Sequence, residues 1–381
     1  MFIELRGVEF VNKGAELMLY AILQELKKEF PNAKLVMEKS GRAPIAKQRE
    51  LGILTKFRFS RHKKLVDILE KVIPSALLNA GGYVKENQIQ IVLDGSGFAF
   101  GDKWGANKAG SRLADHIVRW KTEGKKVILL PQAFGPFEDE KLRAKMKLII
   151  DHASLVFARD KISYDHLLGL SATKTNIKQR PDFTNLIKGD VPAYFETSKN
   201  EVAIIPNSQM IAKVKDAGEK ERYPSLLENV VELVREEGFA PFFLIHEGES
   251  DKAIADVVNK KIGQPIPVIV EDNPLKVKGI IGNSKAVITS RFHGLVSALS
   301  QATPCLTTGW SHKYEMLLED YDYSEGMLYT DMATDELRSK IKYILEPFSS
   351  NAIKIKLEEK SLEQKNQTKV MWSEVVKMIA Q

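Results

Sequence analysis

Short apolar runs alternate with stretches of helical periodicity along the chain. In the first half, apolar runs of the length of a buried strand occupy residues 2–5, 34–37, 90–93, 126–130 and 155–158. Apolar side chains at helical spacing lie between them, over residues 14–30, 113–121 and 141–150. This alternation predicts parallel βαβ units.

The same alternation resumes after a looser segment at residues 184–200, which we interpret as a linker. The second series predicts strands at residues 202–205, 241–245, 267–270, 286–288 and 304–307. Its helices are predicted at residues 224–237, 251–260 and 295–300, and a charged helical tail, broken near Pro347, covers 335–381.

The predicted fold class is therefore α/β, with two doubly wound Rossmann-like domains that face a cleft. We place the N-terminal domain at residues 1–190, the C-terminal domain at 200–345 and a helical tail at 346–381. This is a GT-B-like architecture, in which a C-terminal helix often returns to the first domain, and the tail of this chain could do so.

Composition narrows the class of protein. Hydrophobic residues make up 44% and charged residues 28%, and no apolar run is long enough to span a membrane. The start of the chain lacks the apolar core of a signal peptide, so we expect a cytoplasmic location. The formal net charge of +6 comes without a nucleic-acid-binding signature, so no nucleic-acid partner is predicted.

Metal and disulfide chemistry are not predicted. Cys305 is the only cysteine, which excludes disulfides within the chain and any cysteine-cluster site. The seven histidines show no metal-binding spacing. We therefore predict no metal and no cofactor.

Polar side chains follow the predicted strands, where open α/β sheets bind ligands. Each also has a plain structural explanation, as a helix cap, a polar loop or a surface ion pair. The candidates from the first domain are Asn12, Glu16, Asp94, Ser96, Gln132 and Arg159, and those from the second are Asn207, His246, Arg291, His293, Gly294 and Lys313.

Arg291 and His293 form the most informative pair. They fall between the strand at 286–288 and the helix predicted at 295–300. A helix N-terminus favours anions through its free N–H groups and its dipole. An arginine and a histidine at that place predict an anion site with a proton donor or acceptor beside it.

Seven motifs in one order resemble the polysaccharide pyruvyl transferase family, over about residues 7–316. They are Asn12-Lys-Gly-Ala-Glu16, Gln132-Ala-Phe-Gly-Pro136, Ala158-Arg-Asp160, Arg180-Pro-Asp182, Ile205-Pro-Asn207, Ser290-Arg-Phe-His-Gly294 and His312-Lys-Tyr-Glu315. Two segments depart from the family pattern, Gly14-Ala-Glu16 and Asp94-Gly-Ser-Gly97. Both lie in the first domain, so they bear on the identity of the acceptor.

The resemblance implies a GT-B-like enzyme that moves pyruvate from phosphoenolpyruvate to two sugar hydroxyls as a ketal and releases phosphate. It implies that Arg159, Arg291, Gly294 and Lys313 bind phosphoenolpyruvate, and that His293 and Arg291 are catalytic. Because histidine ordinarily titrates near neutral pH, His293 suits the acid that protonates the donor. The acceptor is expected on the first domain and in the cleft, at Asn12, Glu16, Asp94, Ser96, Gln132, Asn207 and His246.

The acceptor implied by the resemblance is a sugar of a bacterial surface polysaccharide, such as an exopolysaccharide or a capsule, or its lipid-linked precursor. A lipid-linked acceptor would bring the enzyme to the inner face of the membrane, and the basic and aromatic stretch 56–64 could touch anionic lipid there. A solvated loop explains the same stretch. Two other functions stay open: a glycosyltransferase that uses a nucleotide sugar, and a non-catalytic protein that binds a carbohydrate or an anion.

Overall fold

The computed structural model describes residues 1–57, 73–171, 175–214 and 216–381. The chain divides into two compact units. The first comprises Met1–Phe183 and Lys369–Gln381, and the second comprises Thr184–Thr368.

The start of the expected linker belongs to the second unit. The Nζ of Lys278, a buried lysine, donates to the carbonyl of Thr184 at 2.8 Å. The backbone N–H of Asp190 donates to the carbonyl of Leu275 at 2.9 Å. These bonds attach residues 184–190 to a helix of the second unit, whereas the sequence placed them in the first domain.

The first unit has a parallel sheet of nine strands within the described part of the chain. Their order is β4-β3-β2-β1-β5-β7-β8-β9, and β6 pairs with β7. The strands are β1 (Phe2–Arg6), β2 (Lys34–Met37), β3 (Leu54–Lys56), β4 (Tyr83–Val84), β5 (Ile91–Asp94), β6 (Phe98–Phe100), β7 (Lys126–Phe134), β8 (Leu155–Ala158) and β9 (Ile177–Gln179). The order reverses direction between β1 and β5, which makes this pair the topological switch point.

The described helices of the first unit connect these strands. They are α1 (Lys13–Glu29), α2 (Ile45–Glu50), α3 (Ser75–Ala80), α4 (Gly105–Ala109), a π-helical turn (Gly110–Ala114), α5 (Asp115–Thr122), α6 (Glu140–His152) and α7 (Lys161–Leu168). α1 begins where the Asn12 side chain accepts a hydrogen bond from the N–H of Ala15, and it ends before Pro31.

The second unit has a parallel sheet in the order β12-β11-β10-β13-β14. Its described strands are β10 (Val202–Ile205), β11 (Pro241–Ile245), β12 (Val268–Val270), β13 (Ala286–Thr289) and β14 (Cys305–Thr307). In chain order within the unit this is 3-2-1-4-5, the strand order of a Rossmann fold, and the switch point lies between β10 and β13.

The described helices of the second unit surround that sheet, and the last one continues into the first unit. They are α8 (Gln209–Ala212), α9 (Ala217–Glu236), α10 (Gly248–Lys261), α11 (Pro274–Asn283), α12 (Phe292–Leu299), α13 (Lys313–Asp320), α14 (Thr334–Leu345) and α15 (Pro347–Ala380). Residues 347–368 of α15 belong to the second unit and residues from Lys369 onward to the first.

Two elements are longer than predicted. β7 continues through Pro131 to Phe134, and its register with β8 shifts between Leu129 and Gln132. Proline cannot donate a ladder hydrogen bond, and such an irregularity accommodates it inside a sheet.

α9 starts seven residues before Pro224, because the Asp216 side chain accepts from the N–H of Glu219 and caps the helix there.

Candidate functional site

The switch point of the second unit carries the first candidate site. β10 leads into Asn207, and β13 leads into Ser290 and Arg291. The backbone N–H of Ser290 donates to the carbonyl of Ile205 at 2.9 Å, so the two strand ends are held together beyond the sheet. The structure thus brings Asn207 and Arg291, two predicted site residues, to one edge.

Arg291 is buried and bound by two carboxylates. Its Nε and Nη2 lie 2.8 Å and 2.5 Å from one oxygen of Asp251, and its Nη1 contacts Glu247. Burial acts to lower the pKa of Arg291, but the charges of Asp251 and Glu247 outweigh it and the pKa is raised. Arg291 is therefore a fixed cation whose nearest anions are the protein's own.

Asn207 belongs to a buried hydrogen-bond network. Its Nδ2 donates to the carbonyl of Ser290 at 2.7 Å, and its backbone N–H donates to the hydroxyl of Tyr223 at 2.9 Å. The Tyr223 hydroxyl donates to the Ser290 Oγ at 2.8 Å, and the Tyr314 hydroxyl donates to the Ser290 carbonyl at 2.9 Å. Asn207 was predicted to bind the acceptor, and in the structure its amide N–H holds the turn that carries Arg291.

His293 lies inside the first turn of a helix, not in the turn before it. α12 begins at Phe292 with Arg291 as its N-cap residue, three residues earlier than predicted. The helix starts earlier because Thr289 Oγ1 accepts the N–H of Arg291 at 3.0 Å and ends the strand directly before it. His293 is half-buried, and its ring lies 5.5 Å from that of Phe292.

Lys313 is surrounded by aromatic rings. Its Nζ lies 4.7 Å from the ring of Trp310, 5.0 Å from that of Phe292 and 5.4 Å from that of Tyr314. Cation–π attraction of this kind holds an ammonium group in place. Because Phe292 contacts both His293 and Lys313, the structure brings an imidazole and an ammonium group to the same ring.

Gly294 allows α12 to approach β13. A Cβ atom there would lie 2.5 Å from Thr289 Oγ1, which is too close for any side chain. The sequence predicted that Gly294 binds the donor, and the structure gives it this packing role.

His246 follows β11 and precedes Glu247. It is 6% exposed and lies at the same carboxyl edge of the sheet as Asn207 and Arg291. The sequence analysis expected His246 to bind the sugar acceptor in the cleft.

The switch point of the first unit carries a second polar cluster. The Asp94 Oδ1 accepts from the backbone N–H of Ser96 at 3.1 Å and from Gln132 Nε2 at 3.2 Å. Gly7, with a φ of +83°, lies against Ser96, so a Cβ there would be 2.3 Å from the serine Oγ. The three predicted residues Asp94, Ser96 and Gln132 therefore lie together.

This cluster has unused hydrogen-bonding capacity. Asp94 Oδ2, Ser96 Oγ and Gln132 Oε1 are buried, and none has a hydrogen-bond partner within the described residues. Arg112 Nε, from the π-helical turn, is 3.9 Å from Asp94 Oδ2, beyond hydrogen-bond distance. Buried polar atoms are normally paired, so three together mark a place suited to a polar ligand.

Arg159 is paired within the first unit. Its Nη1 lies 3.1 Å from Asp182 Oδ2, and both side chains are buried. Its backbone N–H donates to the carbonyl of Gln132 at 3.0 Å. The structure joins the Ala158–Asp160 and Arg180–Asp182 motifs through this pair.

Asn12 and Glu16 fit their structural explanation. Asn12 caps α1, and Glu16 lies 3.0 Å from the Nζ of Lys13. Neither is among the three residues of the Asp94 cluster.

Four residues of these two clusters were not predicted as site residues from the sequence. Asp251, Tyr223 and Tyr314 lie in amphipathic helices, where an acidic or aromatic residue looks like a surface or core position. Arg112 lies in the π-helical turn, which a 3.6-residue periodicity does not show.

The stretch proposed to contact lipid is described only at its start. Lys56 is buried and its Nζ lies 2.9 Å from Glu4, so it does not face solvent. Residues 58–64 lie outside the described residues.

Over the described ranges, the structure shows no group of three or more His, Cys, Asp or Glu residues that could hold a metal ion. In the same ranges, every helix is too short or too polar to cross a membrane.

A family model for polysaccharide pyruvyl transferase matches residues 12–312. The chain belongs to the polysaccharide pyruvyl transferase family. The resemblance found in the sequence is thereby confirmed, and both switch-point sites contain residues inside the matched range.

Similar solved structures show the fold. Anabaena HepE in complex with UDP has a TM-score of 0.61 at 11% identity and covers 100% of this chain and 99% of its own. The UDP-GlcNAc 2-epimerase from Neisseria meningitidis bound to UDP-GlcNAc has a TM-score of 0.58 at 11% identity, covering 99% and 100%. The epimerase from Methanocaldococcus jannaschii has a TM-score of 0.54 at 12% identity, covering 92% and 94%. These likenesses confirm the predicted fold class, a GT-B-like pair of Rossmann-like units.

Proposed function

We propose that this transferase moves the pyruvyl group of phosphoenolpyruvate onto two hydroxyls of a sugar, forms a ketal and releases phosphate. The family match supports pyruvyl transfer to a polysaccharide. The observation that carries the donor assignment is the ring of Phe292, which contacts both His293 and Lys313 directly after Arg291.

The proposed reaction needs an acid and a cation. His293 gives a proton to the methylene carbon of phosphoenolpyruvate, which makes the central carbon electrophilic. One sugar hydroxyl bonds to that carbon, and its proton passes to the phosphate oxygen. The bond from the carbon to that oxygen then breaks with its electron pair, and inorganic phosphate leaves. The second hydroxyl bonds to the same carbon, closes the ketal and returns its proton to His293.

Lys313 and Arg291 are proposed to bind the donor anion, and no metal or other cofactor takes part. The ammonium group of Lys313 is a compact charge suited to a phosphate. Arg159, which is paired with Asp182, is proposed for the donor on the family resemblance alone.

The acceptor is proposed to bind at the Asp94 cluster of the first unit. Its unused oxygens on Asp94 and Gln132 can accept hydrogen bonds from sugar hydroxyls, and Ser96 can donate or accept. We propose a hexose or N-acetylhexosamine of a bacterial surface glycan, presented on a lipid carrier at the cytoplasmic face of the membrane.

Ligand-induced thermal stabilisation tests the donor. Phosphoenolpyruvate at about 100 times its Kd should stabilise the protein by roughly 2.7 kcal/mol, whereas UDP-, GDP- and CMP-sugars should not. Lys313→Gln should abolish the shift because it removes the charge held by the three rings. Lys260→Gln, on the exposed face of α10, is the matched control and should keep it.

Other outcomes of the experiment separate the rival functions. A shift with a nucleotide sugar alone would indicate a glycosyltransferase. A shift with phosphoenolpyruvate, but no release of its phosphate in the presence of any glycan acceptor, would indicate a binding protein. His293→Gln should bind phosphoenolpyruvate and lose about 10²–10⁴-fold in turnover, and near-normal turnover would exclude His293 as the acid.

A further inference from the structure

The two carboxylates on Arg291 differ in how firmly the protein holds them. The Asp251 side chain is 0% exposed, contacts both Nε and Nη2, and accepts the backbone N–H of Ser208 at 2.8 Å with its other oxygen. The Glu247 side chain is 21% exposed and contacts Nη1. Asp251 is a built part of the site, whereas Glu247 reaches it from the N-cap position of α10.

Arg291 is contacted by two carboxylates, although Asp251 alone is enough to neutralise its charge. Glu247 therefore brings a second carboxylate to the edge where an anionic donor is proposed to bind. A second carboxylate on an arginine repels a phosphate or a carboxylate ligand that approaches the same face. The arginine can bind a ligand anion well only if Glu247 leaves its Nη1.

We infer that Glu247 occupies the place of the substrate anion, and that the phosphate or carboxylate of the donor displaces it from Arg291. The exchange replaces one charge-assisted hydrogen bond by another and breaks no covalent bond. Glu247 then swings to solvent, and Asp251 keeps the guanidinium in position. The identification of the displacing ligand as phosphoenolpyruvate rests on the proposed function.

Glu247 is thereby a specificity-determining residue. A neutral or weakly charged ligand cannot replace the lost contact with Nη1, whereas a phosphate or a carboxylate can. The competing carboxylate therefore weakens the binding of every ligand at Arg291, and it weakens neutral or weakly charged ligands more than strong anions.

Calorimetric titration of Glu247→Gln tests the inference. The Kd for inorganic phosphate and for phosphoenolpyruvate should fall about tenfold, since the anion no longer competes with a carboxylate. Glu249→Gln, two residues away and exposed on the same helix, is the control for a general change of charge and should alter either Kd less than about twofold. Unchanged or weaker binding by Glu247→Gln, or an equal gain in Glu249→Gln, overturns the inference.

The result separates this inference from the proposed function. A gain for phosphate without any response to phosphoenolpyruvate would support displacement at Arg291 and contradict the donor. A response to phosphoenolpyruvate in the wild type, without tighter binding by Glu247→Gln, would support the donor and contradict displacement at Arg291. Glu247→Asp, whose shorter side chain withdraws from Nη1, should show an intermediate gain and serves if the glutamine variant fails to fold.

Discussion

At the residue scale, Phe292 organises the proposed donor site of this polysaccharide pyruvyl transferase family member. Its ring contacts His293, Lys313 and Tyr314, with Tyr314 at 5.8 Å and 78°. Since Tyr314 also binds the Ser290 carbonyl, the ring connects the proposed acid and cation to the buried network beneath them.

Gly294 makes that placement sensitive to one methyl group. Gly294→Ala should destabilise the protein by about 1–3 kcal/mol, although alanine favours a helix, because its Cβ would lie 2.5 Å from Thr289 Oγ1. Chemical denaturation measures the change. Gly263→Ala, where a Cβ meets nothing within 4 Å, is the control. Equal stability of the two variants would contradict the packing role.

The positions of the site residues were predictable, but their partners were not. Arg291 and His293 lie between an apolar run and a run of helical spacing, which places them near a strand end by local pattern alone, although His293 is already inside the helix. Asp251 lies 40 residues from Arg291 in the sequence, and only the pairing of β11 beside β10 brings it near. The pairing of Arg159 with Asp182 depends in the same way on β8 and β9.

At the element scale, β3, α5 and the 3₁₀ turn at Glu86–Gln88 meet in a charged cluster around Glu86. Its Oε1 accepts from Trp120 Nε1 at 2.6 Å and from Arg119, and its Oε2 lies 3.6 Å from Lys56. Local patterns did not predict β3, which has three residues, or β4, which has two. Such short strands carry too few positions for a period of two.

The charge of Glu86 should make stability depend on pH. Burial acts to raise its pKa, but Lys56, Trp120 and Arg119 outweigh it and lower the pKa from 4.5 to about 2. The stabilisation is present above about pH 4.5 and is lost as the pH falls towards 2, because the unfolded chain takes up the proton first.

Urea denaturation of Glu86→Gln across this range measures the effect. The variant should be less stable than the wild type at pH 6 and should converge with it towards pH 2. Glu359→Gln, exposed on α15, should follow the wild type at every pH. A constant difference between Glu86→Gln and the wild type would show that the carboxylate charge is not the cause.

At the scale of the whole molecule, each unit places its polar cluster at the switch point of its own sheet. The Asp94 cluster follows β5 beside β1, and the Arg291 cluster follows β13 beside β10. The alternating apolar pattern predicted five strands of each sheet and a break between the two series. The GT-B-like architecture led to the expectation that the tail returns to the first domain, and the end of α15 does belong to the first unit. The apolar pattern by itself does not assign it, because the assignment depends on contacts distant in sequence.

Those contacts should stabilise the first unit. The Trp372 ring lies 6.0 Å from Phe183 at 90°, and Glu374 is 2.8 Å from Arg180. Trp372→Ala should lower the free energy of unfolding by about 3–5 kcal/mol. It should also speed amide hydrogen exchange in β8 and β9, while the amides of β13 stay protected. The exposed neighbour Ser373→Ala is the control. Unchanged exchange in β8 and β9 would show that α15 does not stabilise the first unit.

Because the first unit consists of two chain segments, its two parts leave the ribosome at different times during synthesis. Met1–Phe183 is made first, but Lys369–Gln381 emerges only after all of Thr184–Thr368 has been translated. At ordinary rates of synthesis this interval is on the order of 10–40 s. During it Phe183 lacks its tryptophan partner, so the nascent first unit presents an open apolar surface that a chaperone can cover. Synthesis of the first unit therefore begins before that of the second unit and ends after it.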